Sequence, residues 1–272
     1  MGNIFSVIAG YLLCILISIS APVMAQSGQS PFHGYKLVDM SHAFDEDTIY
    51  WPTEAPFEHK EAFKGRTEGG WYYTAYRVNT AEHGGTHLDA PIHFAEGQWA
   101  TDEIPLSSLL TPVVVIDVSG AALVDPDYTL SLEAVHKWES IHGRIPRGSS
   151  VLMNTGYAQF WPDKIRYMGT AASGAEAISS LHFPGYSIEA ARFLHLQRGI
   201  VSVGLDTPSI DYGQSQDFAV HRYLYSHNII GFENVANVAS LPATGAFIVA
   251  LPMKIKGGSG GPLRIIGLIP SE

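Results

Sequence analysis

His83-Gly84-Gly85-Thr86-His87-Leu88-Asp89-Ala90-Pro91-Ile92-His93-Phe94 gathers three imidazoles and a carboxylate into eleven residues, all at odd positions. In an extended chain, odd positions share one face. Gly84-Gly85 and Pro91 disfavour a helix, so that face belongs to a ribbon. A straight ribbon would set His83 and His87 about 13 Å apart, at roughly 3.3 Å per residue. One ion with ligand bonds of about 2 Å does not bridge that distance. The chain must therefore bend between them, and the glycine pair supplies the freedom. Two neutral imidazoles and a carboxylate (His83, His87 and Asp89) are a common three-ligand set for a catalytic divalent ion, with the remaining position left for water. A lone histidine here would read as a buried hydrogen-bonding group. Four such groups on one bent segment favour a metal site.

On either side of this segment, short β-branched or alternating runs predict strands. They are Tyr35–Met40, Tyr72–Thr80, Val113–Val118, Ser150–Asn154, Gly199–Leu205, Asn228–Gly231, Ala246–Leu251 and Ile265–Ile269. Val113–Val118 is apolar almost throughout, as expected of a strand covered on both faces. Helices are predicted after Ser131 (Glu133–His142), over Ser187–Arg198 with Gly199 just past its end, and over Asp217–His227 with Asp217 as cap. Gly169–Ser180 reads as an exposed loop. No repeat or Pro-rich linker divides the chain, so the expected fold is one α/β (α+β-like) domain around a mixed sheet.

Composition narrows the function. The chain has 272 residues, 46% hydrophobic and 15% charged, with a net charge of −10. That acidity disfavours nucleic acid as a partner. The single cysteine, Cys14, excludes a disulfide framework and a thiolate metal site. Residues 1–25 carry no charge, and Val23 and Ala25 stand at −3 and −1 before Gln26. This predicts a cleaved signal peptide, a flexible leader over 26–33, and a secreted or secretory-lumen protein without stable membrane contact. The rival readings are a membrane anchor over residues 4–25 and myristoylation of Gly2. No G-x-S-x-G elbow is present, so a serine nucleophile is not indicated. Gly257–Gly261 lacks the Gly-Lys-Ser/Thr of a phosphate loop and reads as a packing turn. Asp206–Asp211 follows a buried strand, where a carboxylate can orient a ligand histidine.

The string HGGTHLDAPIHF resembles the motif H-x-G-T-H-x-D-x-P-x-H-F of the cyclase family of metal-dependent hydrolases, which includes bacterial-type kynurenine formamidases and isatin hydrolases. Phe94–Val118, Val203–Gly213 and Leu241–Leu268 continue the likeness, which spans about residues 34–270. The resemblance implies one hydrolase domain over 34–272, of swivelling β/β/α type, with a partly barrel-like sheet and peripheral helices. It implies His83, His87 and Asp89 as metal ligands and His93 as the catalytic imidazole. A second ion would share the Asp89 carboxylate and use His221 and Glu233, which stand twelve residues apart. Alone, that pair would read as an exposed helix histidine and a loop glutamate. His227 lies too close to Glu233 for the spacing. The implied cofactor is Zn²⁺ or Mn²⁺, one or two ions per chain, and the implied assembly a homodimer or larger homo-oligomer.

The implied substrate is a small aromatic amide: N-formylkynurenine first, isatin second, a related lactone third. Export weakens the first, because tryptophan breakdown is usually intracellular. One departure bears on substrate. Tyr50-Trp51-Pro52-Thr53-Glu54-Ala55-Pro56 carries Thr53 where the family often has glycine. Trp51, Trp71 and Tyr73 are candidates for an aromatic wall, and equally for core. A secreted, non-catalytic metal- or small-molecule-binding protein would show a degraded set of site residues, whereas all six stand in place.

Overall fold

The β-branched runs form eight of the twelve strands, and the other four are polar or very short segments that no such run marks. The computed structural model describes residues 32–271. The expected signal peptide and most of the leader lie outside them. The strands are β1 (Tyr35–Asp39), β2 (Glu58–Arg66), β3 (Tyr72–Asn79), β4 (His87–Asp89), β5 (Leu110–Asp117), β6 (Thr129–Leu130), β7 (Ser150–Asn154), β8 (Gly185–Tyr186), β9 (Ser202–Leu205), β10 (Ile230–Glu233), β11 (Ala246–Pro252) and β12 (Gly260–Pro270). Eight of them make one sheet in the order β1-β12-β11-β5-β7-β9-β10-β4. β4 also pairs back onto β12, closing seven strands into a barrel. β5, β7, β9 and β10 run parallel, and the other pairings are antiparallel. This is the mixed, barrel-like α/β architecture that the sequence resemblance implied.

Alternation along the strands separates two cores. Leu88, Val113, Leu152, Phe232, Ile248 and Ile265 gather inside the barrel. Val114, Ile116, Val151, Met153, Val203 and Leu205 face the helices, packing with Val135, Leu194 and Leu224. Parallel strands buried on both faces explain the unbroken apolar run predicted at Val113–Val118. Among the described residues no helix is long and apolar enough to cross a membrane.

The helix Leu132–His142 starts as predicted, with the Ser131 side chain accepting from Ala134 N–H. Ser187 caps the helix Ile188–Phe193 in the same way, and a π-helical turn, Leu194–Arg198, carries it to Gly199 in the left-handed conformation. The third helix differs from expectation. It spans Ala219–Tyr225, and Asp217 does not cap it. The Asp211 carboxylate does so from outside, accepting from Val220 and His221 N–H. Gly169–Ser180 is less open than its composition suggested, since Ala175–Ser180 forms a 3₁₀ turn that buries Ala177.

Two strand boundaries matter for the site. The run predicted at Asn228–Gly231 is strand at Ile230–Glu233, which draws Glu233 into the ladder opposite His87. The last strand begins at Gly260 rather than Ile265, so its glycines can flank β4.

Tyr50 forms an isolated antiparallel bridge with Gly84, and a Cβ on Gly84 would lie 2.0 Å from the Tyr50 ring. Tyr50 is buried and cannot swing clear. Gly84→Ala is therefore expected to destabilise the fold by about 1–3 kcal/mol through overpacking. An unchanged denaturant midpoint would show that the bridge tolerates a methyl group.

Candidate metal centre

β4 carries the first half of the site. His87 and Asp89 share one face of it, while Leu88 points into the barrel core. Glu233 on β10 lies directly across from His87 and so projects to the same side. His83 precedes the strand and returns to it through the bend expected from the glycines. Gly85 has φ +55°, and a Cβ there would strike the Phe44 ring at 2.6 Å. The His83 and His87 rings end 5.4 Å apart, centre to centre. The helix Ala219–Tyr225 covers this face and presents His221 and Tyr225 from successive turns.

Asp89 lies at the middle of the cluster. On one side, Oδ1 is 2.6 Å from His83 Nδ1 and 3.2 Å from His87 Nε2. On the other, Oδ2 is 3.3 Å from His221 Nε2 and accepts from the Tyr225 hydroxyl at 2.8 Å. Glu233 spans the same two sides, with Oε2 3.3 Å from His87 Nε2 and Oε1 3.2 Å from His221 Nε2. Two sets of candidate metal-ligating groups result: His83, His87 and Asp89, and Asp89, His221 and Glu233. Asp89 belongs to both, the sharing that the family resemblance implied.

These residues fit a divalent cation. Ligand atoms around a tetrahedral ion with bonds of about 2.05 Å are separated by about 3.3 Å, the spacing found between His87, Asp89, His221 and Glu233. His87 Nε2 is buried and makes no hydrogen bond, although carboxylate oxygens of Asp89 and Glu233 lie 3.2 and 3.3 Å away. The charge balance agrees. Asp89 and Glu233 are buried, which opposes their charge, yet the surrounding imidazoles hold both carboxyls below their usual range. Burial likewise opposes a proton on His87, but the Asp89 and Glu233 carboxylates outweigh it and push His87 up to about 10. Burial opposes a proton on His221 too, but the Asp211 carboxylate foremost, then Asp89 and Glu233, outweigh it and raise that imidazole well above its ordinary value. Imidazolium protons thus supply the positive charge that a bound cation would supply.

The outer ring atoms are also committed. His87 Nδ1 donates to the Gly85 carbonyl at 2.9 Å, and His221 Nδ1 to Asp211 Oδ2 at 2.6 Å. Both rings are thereby turned with Nε2 toward the carboxylates. Asp211 comes from the segment expected to border the site, and it caps the helix and aims its histidine with one carboxylate. His83 is held the other way round. Glu82 accepts from Ser259 N–H and Oγ–H, so Ser259 Oγ is left to accept from His83 Nε2 at 2.9 Å. That turns His83 Nδ1 toward Asp89.

His93 belongs to neither set. It ends the 3₁₀ turn Pro91–His93 and stacks on His83 with centroids 3.7 Å apart. Burial pushes its imidazole down to about 4, and the His83 and His221 charges add to that against the opposing pull of Asp89 and Glu233. It lines a cavity of roughly 200 Å³ that also opens onto the donor set and is walled by Tyr50, Trp51, Phe94, Phe218 and Pro208.

Trp51 therefore takes the expected place, but Trp71 and Tyr73 do not. They stand on the β2–β3 hairpin, 63% and 52% exposed, outside the cavity wall. The alternation that marks β3 as a strand carries no information on which face is covered, and β3 pairs with β2 alone. His227 packs against Tyr223 and His195, away from the donors. Residue patterns had not singled out Tyr225, Glu82 or Ser259. The signal for Tyr225 was its position one helical turn after His221.

A sequence description of the family "Putative cyclase" matches residues 38–212. An isatin hydrolase of Roseibium aggregatum is 34% identical over 197 residues, which is 70% of this chain and 72% of that one. A kynurenine formamidase of Bacillus cereus is 26% identical over 233 residues, covering 84% and 95%. Among solved structures, isatin hydrolase A from Labrenzia aggregata bound to benzyl benzoate aligns with a TM-score of 0.79 at 34% identity, covering 88% of this chain and 95% of that one. Likeness of this extent decides membership: the chain belongs to the cyclase family and is a metal-dependent amide hydrolase.

Proposed function

We propose that the protein opens a small, neutral cyclic aryl amide of the isatin kind by hydrolysis. His83, His87 and Asp89 would hold a divalent cation, Zn²⁺ or Mn²⁺, and Asp89, His221 and Glu233 would hold a second. The observation carrying this reading is the cavity wall beside the donors. It is aromatic, it is small, and none of its described residues is lysine or arginine. N-formylkynurenine, the substrate expected first from sequence, is an amino acid whose α-carboxylate would need a cationic or multiply hydrogen-bonding partner. Outside the donor set, the only charged wall residue is Glu54, which offers a partner to the α-ammonium of that substrate but none to its α-carboxylate. Isatin has no such group. The formamidase reading stands second, supported by the likeness to the Bacillus cereus enzyme over nearly its whole length.

When bound, the cation lowers the pKa of water toward ~7 and polarises the scissile carbonyl. The chain's own groups supply the rest. Phe94 and Phe218 wall the cavity beside His93 and His221 and limit solvent there. Trp51 offers a face for the aryl ring. His93 accepts the proton of the attacking water and returns it to the leaving nitrogen. No side chain needs to form a covalent intermediate.

The substrate reading is tested by following isatin and N-formylkynurenine hydrolysis by ultraviolet absorbance, with and without a chelator. The expected kcat/KM favours isatin. The reverse ranking would overturn the substrate assignment, and turnover that survives complete metal removal would overturn the metal chemistry. His93→Ala should retain metal and lose about 10²–10⁴-fold in kcat; loss of metal instead would make His93 a ligand. Asp211→Asn should weaken metal binding by about 10–100-fold, because His221 loses the carboxylate that aims it. Unchanged affinity would limit Asp211 to capping the helix.

A further inference from the structure

The two strands that flank β4 both place a glycine opposite Asp89: Gly231 on β10 and Gly260 on β12. Neither space is empty. A Cβ on Gly231 would fall 2.4 Å from the Tyr225 hydroxyl, and one on Gly260 would fall 2.6 Å from the His83 ring. The two groups that use these notches meet opposite oxygens of Asp89, His83 at Oδ1 and Tyr225 at Oδ2. Tyr225 is fully buried, and its hydroxyl donates to this carboxylate oxygen alone among the described hydrogen bonds.

We propose that the Tyr225 hydroxyl is a positioning group that locks Asp89 as a bridge, with one oxygen committed to each ligand set. A carboxylate free to turn about its Cβ–Cγ bond can chelate a single ion with both oxygens. The Tyr225 hydroxyl opposes that turn by holding Oδ2, while Oδ1 stays on the side of His83 and His87. Oδ1 therefore serves the locus of His83 and His87, and Oδ2 serves the locus of His221 and Glu233. Without the hydroxyl, the carboxylate swings toward the first locus, and the second loses a donor that Glu233 and His221 alone do not replace. Gly231 belongs to the same device, because its missing side chain is the space that the hydroxyl occupies. This inference rests on the metal reading above.

The test is a titration of the metal-stripped protein with Co²⁺, followed by calorimetry and by the visible cobalt spectrum. Wild-type protein should bind two ions per chain. Tyr225→Phe should bind the first within about threefold of wild type and the second at least about tenfold more weakly, the scale expected for loss of a group that orients a ligand. Its first-ion spectrum should also weaken, as bidentate chelation raises the coordination number. Gly231→Ala, which keeps the hydroxyl but displaces it, should reproduce both changes. If wild type binds no Co²⁺, the metal reading itself fails. If wild type binds two ions and both variants keep its pattern, or lose both ions equally, the role of Tyr225 is overturned. A wild type that binds a single ion overturns the bridge, and failure of both variants to fold overturns it as well, by making the Tyr225–Gly231 contact a packing one.

Discussion

Two carboxylates, Asp89 and Glu233, are buried against each other's neighbours on adjacent strands, and the rest of the structure is arranged around that fact. Removing such charges from water costs several kcal/mol apiece unless opposite charge and hydrogen bonds offset it. Here the offset comes from three imidazoles, a tyrosine hydroxyl and, in the working enzyme, a cation. Each ligand histidine is tied at its other ring nitrogen to a carbonyl, a carboxylate or a serine hydroxyl. The ligand atoms are therefore directed before any ion arrives, which limits the ordering cost of binding it.

Barrel closure is what makes this burial possible. β4 is only three residues long, yet it is paired on both edges. A strand held this way has little freedom to twist, so the two side chains it sends to the outer face keep their separation. The helix Ala219–Tyr225 then closes over that face, and the aromatic wall completes a small cavity. The β2–β3 hairpin contributes to this indirectly: its two ends run into Trp51 and His83, although its own aromatics stand in solvent.

The sequence was most legible where chemistry and backbone made the same demand. Gly84-Gly85 between two histidines required a bend, and Gly85 adopts the left-handed conformation that makes it. Ser131 and Ser187 cap helices as their positions foretold, because an N-cap is a local contact three residues long. Asp217 looked equally suitable and is unused, since a carboxylate six residues earlier in the chain reaches the same N–H groups through a turn. β2 (Glu58–Arg66) was invisible because a strand in an uncovered hairpin needs no apolar face. Trp71 and Tyr73 were misplaced for the same reason, as alternation reports a strand and not what covers it.

By itself, the order of residues determined the cluster His83, His87, Asp89 and His93, the buried strand with its unbroken apolar run at 113–118, and the two serine-capped helices. All of these depend on neighbours within about a dozen residues. Tertiary structure alone decided that Glu233 faces His87 across a ladder, that Asp211 aims His221, and that Gly231 and Gly260 leave room for Tyr225 and His83. Those pairings join positions far apart in the chain. Their register follows from closing the barrel, a condition satisfied by all seven strands together and visible in none of them singly.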